Sequence, residues 1–145
     1  MLKMIRQAQP EDIDAITALC VEAHEKSVYA HIAQVEICGR IAVANCIMSG
    51  FAWMTECGNG VLLAYAQPLW FDHDKTCAGD LVFYVRDKAS GTGAALARKY
   101  LKWGKEHADM VTLNNSFGGD SMARTERFYK RLGLERMGGQ YILKG

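Results

Sequence analysis

The sequence predicts a mixed α/β domain, on three observations. Stretches of alternating apolar, aromatic and β-branched residues interleave with stretches of helical periodicity. Glycines cluster at the joints between them. Half of the 145 residues are apolar, enough for a buried core in one domain spanning 1–145.

Residues 3–8 read as a first strand. Pro10-Glu11-Asp12 opens a helix, with Pro early and acids in the first turn to suit the helix dipole. Ile13, Ile16, Leu19, Cys20 and Ala23 recur at helical spacing, so one face of it is buried. A second helix is expected from about His31 to Met48. After Ser49-Gly50 the period changes: Phe51 to Glu56 and Val61 to Phe71 read as strands joined by a Cys57-Gly58-Asn59-Gly60 turn. Asp72-His73-Asp74-Lys75 reads as a polar loop, and Asp80 to Val85 as a strand rich in aromatic and β-branched residues.

A glycine-containing segment, Lys88 to Gly93, leads into a helix from about Gly93 to His107. Met110 to Asn114 is the next strand. The loop Ser116-Phe117-Gly118-Gly119 leads to Asp120 or Ser121 as N-cap of a helix that runs to Leu132 and stops at Gly133. Leu134–Met137 and Gln140–Leu143, around Gly138-Gly139, read as a last hairpin. The order is β-α-α-β-β-β-α-β-α-β-β.

Composition excludes several classes. With 17 basic against 16 acidic residues and a net charge of +1, no basic stripe marks a nucleic-acid binder. The five cysteines, Cys20, Cys38, Cys46, Cys57 and Cys77, are odd in number and lack C-x-x-C spacing, which points to free thiols rather than disulfides or a zinc site. Asp72-His73-Asp74 are adjacent, a poor arrangement for converging on one ion, so no metal is expected. The opening MLKMIRQAQPED is no signal peptide, and the apolar run Ile41 to Met54 is interrupted and too short for a bilayer. A cytoplasmic protein without membrane contact is expected.

The chemistry gathers at the strand–glycine loop–helix junction. A helix start offers unpaired N–H donors and a partial positive charge, and glycine lets backbone approach a pyrophosphate. The candidate donors are the amides of Gly91 through Ala95, supported by the Thr92 hydroxyl and the Lys88 ammonium. No Gly-Lys-Ser/Thr follows Gly93, which excludes a nucleotide P-loop. Leu96 stands where a dinucleotide fingerprint needs its third small residue. By itself Gly91-x-Gly93 marks only a turn. The later run Thr125-Glu126-Arg127-Phe128-Tyr129-Lys130-Arg131-Leu132-Gly133 adds a tyrosine on a helix that ends in glycine.

Together, Lys88-x-x-Gly91-x-Gly93 and Phe128-Tyr129-x-x-x-Gly133 resemble the GNAT superfamily of N-acetyltransferases, in particular small bacterial and phage-encoded members. The opening Ile5-Arg6-Gln7-Ala8 and Pro10-Glu11-Asp12-Ile13 are similar to its first strand and helix. The resemblance implies a twisted, mostly antiparallel sheet of about six or seven strands, helices on both faces, and a splay between the fourth and fifth strands. It also implies transfer of an acetyl group from acetyl-CoA to a primary amine on a small molecule or peptide, in a chain that can form a homodimer. Tyr84 and Val85 would polarise the thioester through backbone N–H. Lys88, Ser90, Gly91, Thr92, Gly93, Ala94 and Ala95 would hold the pyrophosphate, and Tyr129 would protonate the CoA thiolate.

Two departures stand out. Lys88 replaces the usual Gln or Arg, and a second register, Ser90-x-x-Gly93-x-Ala95, keeps the spacing from the strand but lacks the cation. Met122 replaces an asparagine often found seven residues before the tyrosine. They keep open a non-catalytic CoA-binding or protein-interaction module of the same fold. For a general base the candidates are Asp80, Asp72 and His73, or water alone. Trp70, Phe71 and Tyr84 either line an acceptor pocket or belong to the core, Trp103 packs helix to sheet, and Arg98, Lys99, Lys130 and Arg131 are helix-surface charges.

Overall fold

The computed structural model describes residues 5–30, 32, 36–86, 91–115, 120–141 and 143. Along the chain these form β1 (Ile5–Gln7), a 3-10 turn (Pro10–Asp12), α1 (Ile13–Glu25), α2 (Glu36–Ser49), β2 (Ala52–Thr55), β3 (Gly60–Leu69), β4 (Asp72–Val85), α3 (Thr92–His107), β5 (Met110–Val111) and α4 (Asp120–Arg131). The strands make one sheet in the order β1-β2-β3-β4-β5, antiparallel except for the β4–β5 pair.

The helices divide between its two faces. On one, Ile16, Leu19 and Ala23 of α1 and Val43 and Ile47 of α2 pack with Met54, Val61, Leu63 and Tyr84. On the other, Leu96 and Tyr100 of α3 pack with Trp53, Leu62, Ala64 and Val85. Leu96 and Tyr100 are completely buried, and a buried side chain of this size contributes about 1.5–3 kcal/mol. Trp103 lies 4.7 Å from Phe51 and 5.3 Å from Trp53, ring centre to ring centre, which is the helix-to-sheet packing expected of it. Phe128 of α4 meets Phe83 on the same face. At the start of α1, Arg6 forks onto Asp12 at 2.7 and 2.9 Å, and this pairing holds the Asp12 carboxyl below the usual carboxylate range.

The β3–β4 hairpin is the spine of the sheet, and it corrects the expectation of a polar loop. Asp72–Lys75 belong to β4, and the turn is only Trp70-Phe71, with Leu69 opposite Asp72. The far end of this ribbon has water on both faces, so its polar sequence is that of an exposed strand. One irregularity matters further on: Leu63 pairs Val82 and Ala64 pairs Asp80, so Leu81 is a bulge residue skipped by the ladder.

Other boundaries also move. The first strand is described only from Ile5, and α2 begins at Glu36 rather than His31. The fifth strand ends at Val111, not Asn114. The sheet has five strands among the described residues instead of six or seven, because 134–141 and 143 form no strand. Met137, Tyr141 and Leu143 supply the alternating pattern of a hairpin but are 77%, 100% and 96% exposed, with no apolar face to bury them. Cys20, Cys46 and Cys77 are buried free thiols and Cys57 is an exposed one. No helix among the described residues is long and apolar enough to cross a membrane.

The contact of α3 with β5 sets how closely that strand approaches the sheet. A Cβ at Gly104 would fall 2.7 Å from Val111 Cγ1, closer than side chains tolerate. Gly104→Ala is therefore expected to destabilise the fold by about 1–3 kcal/mol. Thermal denaturation checks this, with the Gly104→Ala/Val111→Ala double variant recovering part of the loss.

Candidate active site

Strands β4 and β5 run side by side for only two residue pairs, Cys77–Met110 and Ala78–Val111. The Thr112 N–H still reaches Ala78 O at 2.9 Å. Beyond that the backbones part. At the next step the Asn114 N–H is met by the Asp80 side chain, Oδ1 accepting at 2.7 Å, while Asn114 Nδ2 donates to Asp80 O at 3.1 Å. From Leu81 to Val85 the β5-side edge of β4 pairs with no strand among the described residues. A cleft of about 1360 Å3 opens there, with Leu81, Val82 and Phe83 on one wall and Thr112 through Asn115 on the other.

Two tyrosines fix the departing segment from the α3–α4 side. Tyr100 donates to Thr112 O and Tyr129 donates to Asn114 O, both at 2.7 Å. The Tyr129 hydroxyl thereby stands at the cleft it lines. Burial, then the negative Asp80, push its ionisation well above that of a free phenol, so it carries its proton at neutral pH. Asp80 is 5% exposed, and burial pushes its carboxyl up to about 6, against the opposing pull of the Asn114 amide.

At the far end of β4 stands the start of α3. Gly91 caps that helix with φ 77°, a left-handed conformation that suits glycine. Ala95 N–H closes the first turn on Gly91 O at 3.4 Å, so Ala95 supports the helix rather than offering a donor. The preceding amides, those of Gly93 and Ala94 among them, have no carbonyl within the helix to bond. A Cβ on Gly93 would sit 3.7 Å from Val85 Cγ2, which places this helix start directly over the end of β4. Thr92, its cap neighbour, is buried. Lys88 and Ser90 lie outside the described residues, as does the choice between the two loop registers.

The remaining residues separate clearly. The Tyr84 ring is in the core against α1 and α2, its hydroxyl accepting from Lys26 Nζ at 2.9 Å, so only its backbone can face a ligand at the β4 edge. Val85 is buried under α3. Arg86 is tied by an ion pair to Glu22 of α1, and its N–H reaches Asn59 O at 2.8 Å. Asp72 and His73 sit on the exposed ribbon and do not line the cleft. Trp70 and Phe71, 87% and 64% exposed, stack edge-on at the hairpin tip and belong neither to the core nor to the cleft. Arg98 and Arg131 line a separate 380 Å3 groove between α3 and α4. Among the described residues no three metal-ligating side chains converge.

Sequence reasoning missed Asn114 and Asn115. Asn115 Nδ2 donates to Met122 O at 2.8 Å, so β5's extension is tied to α4. The only local signal was an Asn-Asn pair after a strand, which by itself reads as a turn.

No protein-family model matches the chain, and no curated protein matches it. Solved structures do. A transcriptional regulator from Bacillus halodurans C-125 matches with a TM-score of 0.73 at 14% identity, over 99% of this chain and 100% of the other. An aminoglycoside acetyltransferase from an uncultured soil metagenomic sample matches with a TM-score of 0.68 at 16% identity, over 100% and 99%. The protein AAC(6')-Iy, in complex with the bisubstrate analog CoA-S-monomethyl-acetylneamine, matches with a TM-score of 0.70 at 10% identity, over 100% and 99%. The chain shares the fold of these structures, the GNAT fold.

Asp80 gives the site a pH signature. Its folded-state ionisation lies above the ordinary 3.8, so the fold binds that proton more tightly than the unfolded chain and loses the advantage as pH rises from about 4 through 6. Between pH 3 and pH 7 the wild type should lose about 3 kcal/mol relative to Asp80→Asn, which does not titrate. Urea denaturation of both proteins at the two pH values measures the difference.

Proposed function

We propose that this protein is an acetyl-CoA-dependent N-acetyltransferase acting on a primary amine of a small molecule or peptide. The observation that carries the reading is the parting of β4 from β5 after Ala78–Val111, which opens a cleft lined by Tyr129, with the α3 start over the end of β4. A pantetheine arm carries amides that can pair with a strand edge, and a pyrophosphate suits a glycine-capped helix start. Those two features follow one another along β4, the edge first and the helix start over its end. Acetyl-CoA is thus the co-substrate that this arrangement fits, held by the Tyr84–Val85 backbone, by Gly91, Thr92, Gly93 and Ala94, and by Lys88 or Ser90 from the loop.

In the reaction, the neutral amine attacks the thioester carbonyl carbon, forming the C–N bond. Backbone N–H groups at the end of β4 stabilise the developing oxyanion. The C–S bond then breaks and its electron pair leaves on sulfur. Tyr129 is the acid: its proton turns from Asn114 O to the thiolate, and the amine's surplus proton leaves through water in the cleft. A thiol ionises at about 8.5, below a tyrosine's value of about 10, so the transfer is uphill and depends on placement rather than on acidity.

A second reading is a non-catalytic CoA-binding or protein-interaction module. Met122, in place of the family asparagine, favours it, and one structural neighbour is called a transcriptional regulator.

Thermal shift against acetyl-CoA, CoA, ATP and NAD tests the donor. At a hundred times its dissociation constant acetyl-CoA should add about 2.7 kcal/mol of stability, and no shift at millimolar acetyl-CoA would sink the proposal. A primary-amine library, with free thiol as readout, then identifies the acceptor and separates the two readings. With that acceptor, Tyr129→Phe should bind CoA as wild type does and turn over about 100-fold more slowly. Unchanged turnover would place the acid elsewhere.

A further inference from the structure

Asp80 is the one buried carboxylate of the site among the described residues, and its hydrogen bond gives it a role other than that of a base. A general base needs a free lone pair aimed at the acceptor's nitrogen. Asp80 Oδ1 is instead engaged at 2.7 Å by the Asn114 amide, and the Asn114 side chain closes the pair by donating to Asp80 O. Its side chain points toward α3: Asp80 lies opposite Ala64, whose neighbours on that face include Leu62, Val85 and Tyr100. The titratable groups around it are Tyr65 of β3, Tyr100 of α3 and Tyr129 of α4, with Cys77 on its own strand. None of them is a cation, so Asp80 has no ion pair among the described residues.

What the carboxylate does reach is the backbone that holds Tyr129. Asn114 donates its N–H to Asp80 and accepts the Tyr129 hydroxyl on its carbonyl oxygen. Building on the proposed acyl transfer, we infer that Asp80 is a positioning residue: its carboxylate stands in for a strand partner, fixes the Asn114 backbone, and through that residue aims the Tyr129 hydroxyl at the departing sulfur. The one-residue bulge at Leu81 adjoins this contact, interrupting the β3–β4 ladder immediately after Asp80 before it resumes at Val82. A carboxylate reaches a peptide N–H that a backbone carbonyl at this separation would miss. The strands can therefore diverge without leaving the Asn114 amide unbonded.

The role separates from that of a base by substitution. Asparagine at position 80 keeps an acceptor oxygen for the Asn114 N–H but cannot take a proton, whereas alanine keeps neither. With the amine found in the library screen, Asp80→Ala should lower kcat about tenfold or more while the KM for acetyl-CoA stays within about twofold, and Asp80→Asn should recover most of that loss. Amide hydrogen exchange follows the clamp without any reaction: Asn114 should exchange about tenfold faster in Asp80→Ala and near the wild-type rate in Asp80→Asn. Equal loss of kcat in both variants, with Asn114 protection intact in Asp80→Asn, would overturn the inference and make Asp80 the proton acceptor. Unchanged Asn114 exchange in Asp80→Ala would overturn it as well. A wild type that turns over no amine refutes the acyltransferase reading alone, and exchange at Asn114 still decides whether Asp80 holds that peptide.

Discussion

Two parallel strands cannot separate without abandoning backbone donors and acceptors, and an abandoned group in a half-buried place costs about 1–3 kcal/mol. This protein separates β4 from β5 after two pairs and covers the loss with side chains. Asp80 takes the Asn114 N–H, Tyr100 and Tyr129 serve the Thr112 and Asn114 carbonyls, and Asn115 reaches across to α4. The rest of the architecture serves this opening. The hairpin supplies a rigid strand, α3 covers its end with a glycine-capped start, and α4 brings its tyrosine to the gap.

The arrangement carries an electrostatic tension. A carboxylate this deeply placed has no cation beside it among the described residues, and the three tyrosines around it are raised by their own burial first and by its charge after that. Such a group costs stability when ionised, and a well-packed apolar residue in its place would be expected to do better. Its presence is intelligible only through what its oxygen holds. The same reasoning bears on the acid role proposed for Tyr129: with its proton secured it would work by position, because a phenol made less acidic than usual gains nothing from its ionisation.

The legible part of the site was local in the chain. Gly91-x-Gly93 before an amphipathic helix, and Tyr129 four residues before a glycine stop, are spacings within single segments, and both fall where they were expected. The Asp80–Asn114 contact joins residues 34 positions apart, and recognising it required knowing that β5 ends at Val111 rather than Asn114. Val111, Thr112 and Leu113 have strand propensity throughout, so nothing in their composition marks where pairing stops. The ribbon was misread for the opposite reason. Asp72–Lys75 are polar on both faces, so the alternation that betrays a half-buried strand is absent. The terminal hairpin shows the converse error, alternation without a surface to pack on.

The bulge at Leu81 has one more implication. Before it, Ala78 and Asp80 turn toward α3; after it, Phe83 and Val85 do, so the strand changes from even to odd numbering in mid-course. The residues on either side belong to two different reading phases held in step by one uncounted position. Substitutions at Leu81, 52% exposed, leave that phase intact. Pairing Leu81 into the ladder would not: every residue from Val82 to Val85 would then exchange faces, sending Phe83 and Val85 toward α1 and α2 and Tyr84 toward α3. The phase of this stretch rests on where the ladder skips a residue, not on which residue it skips.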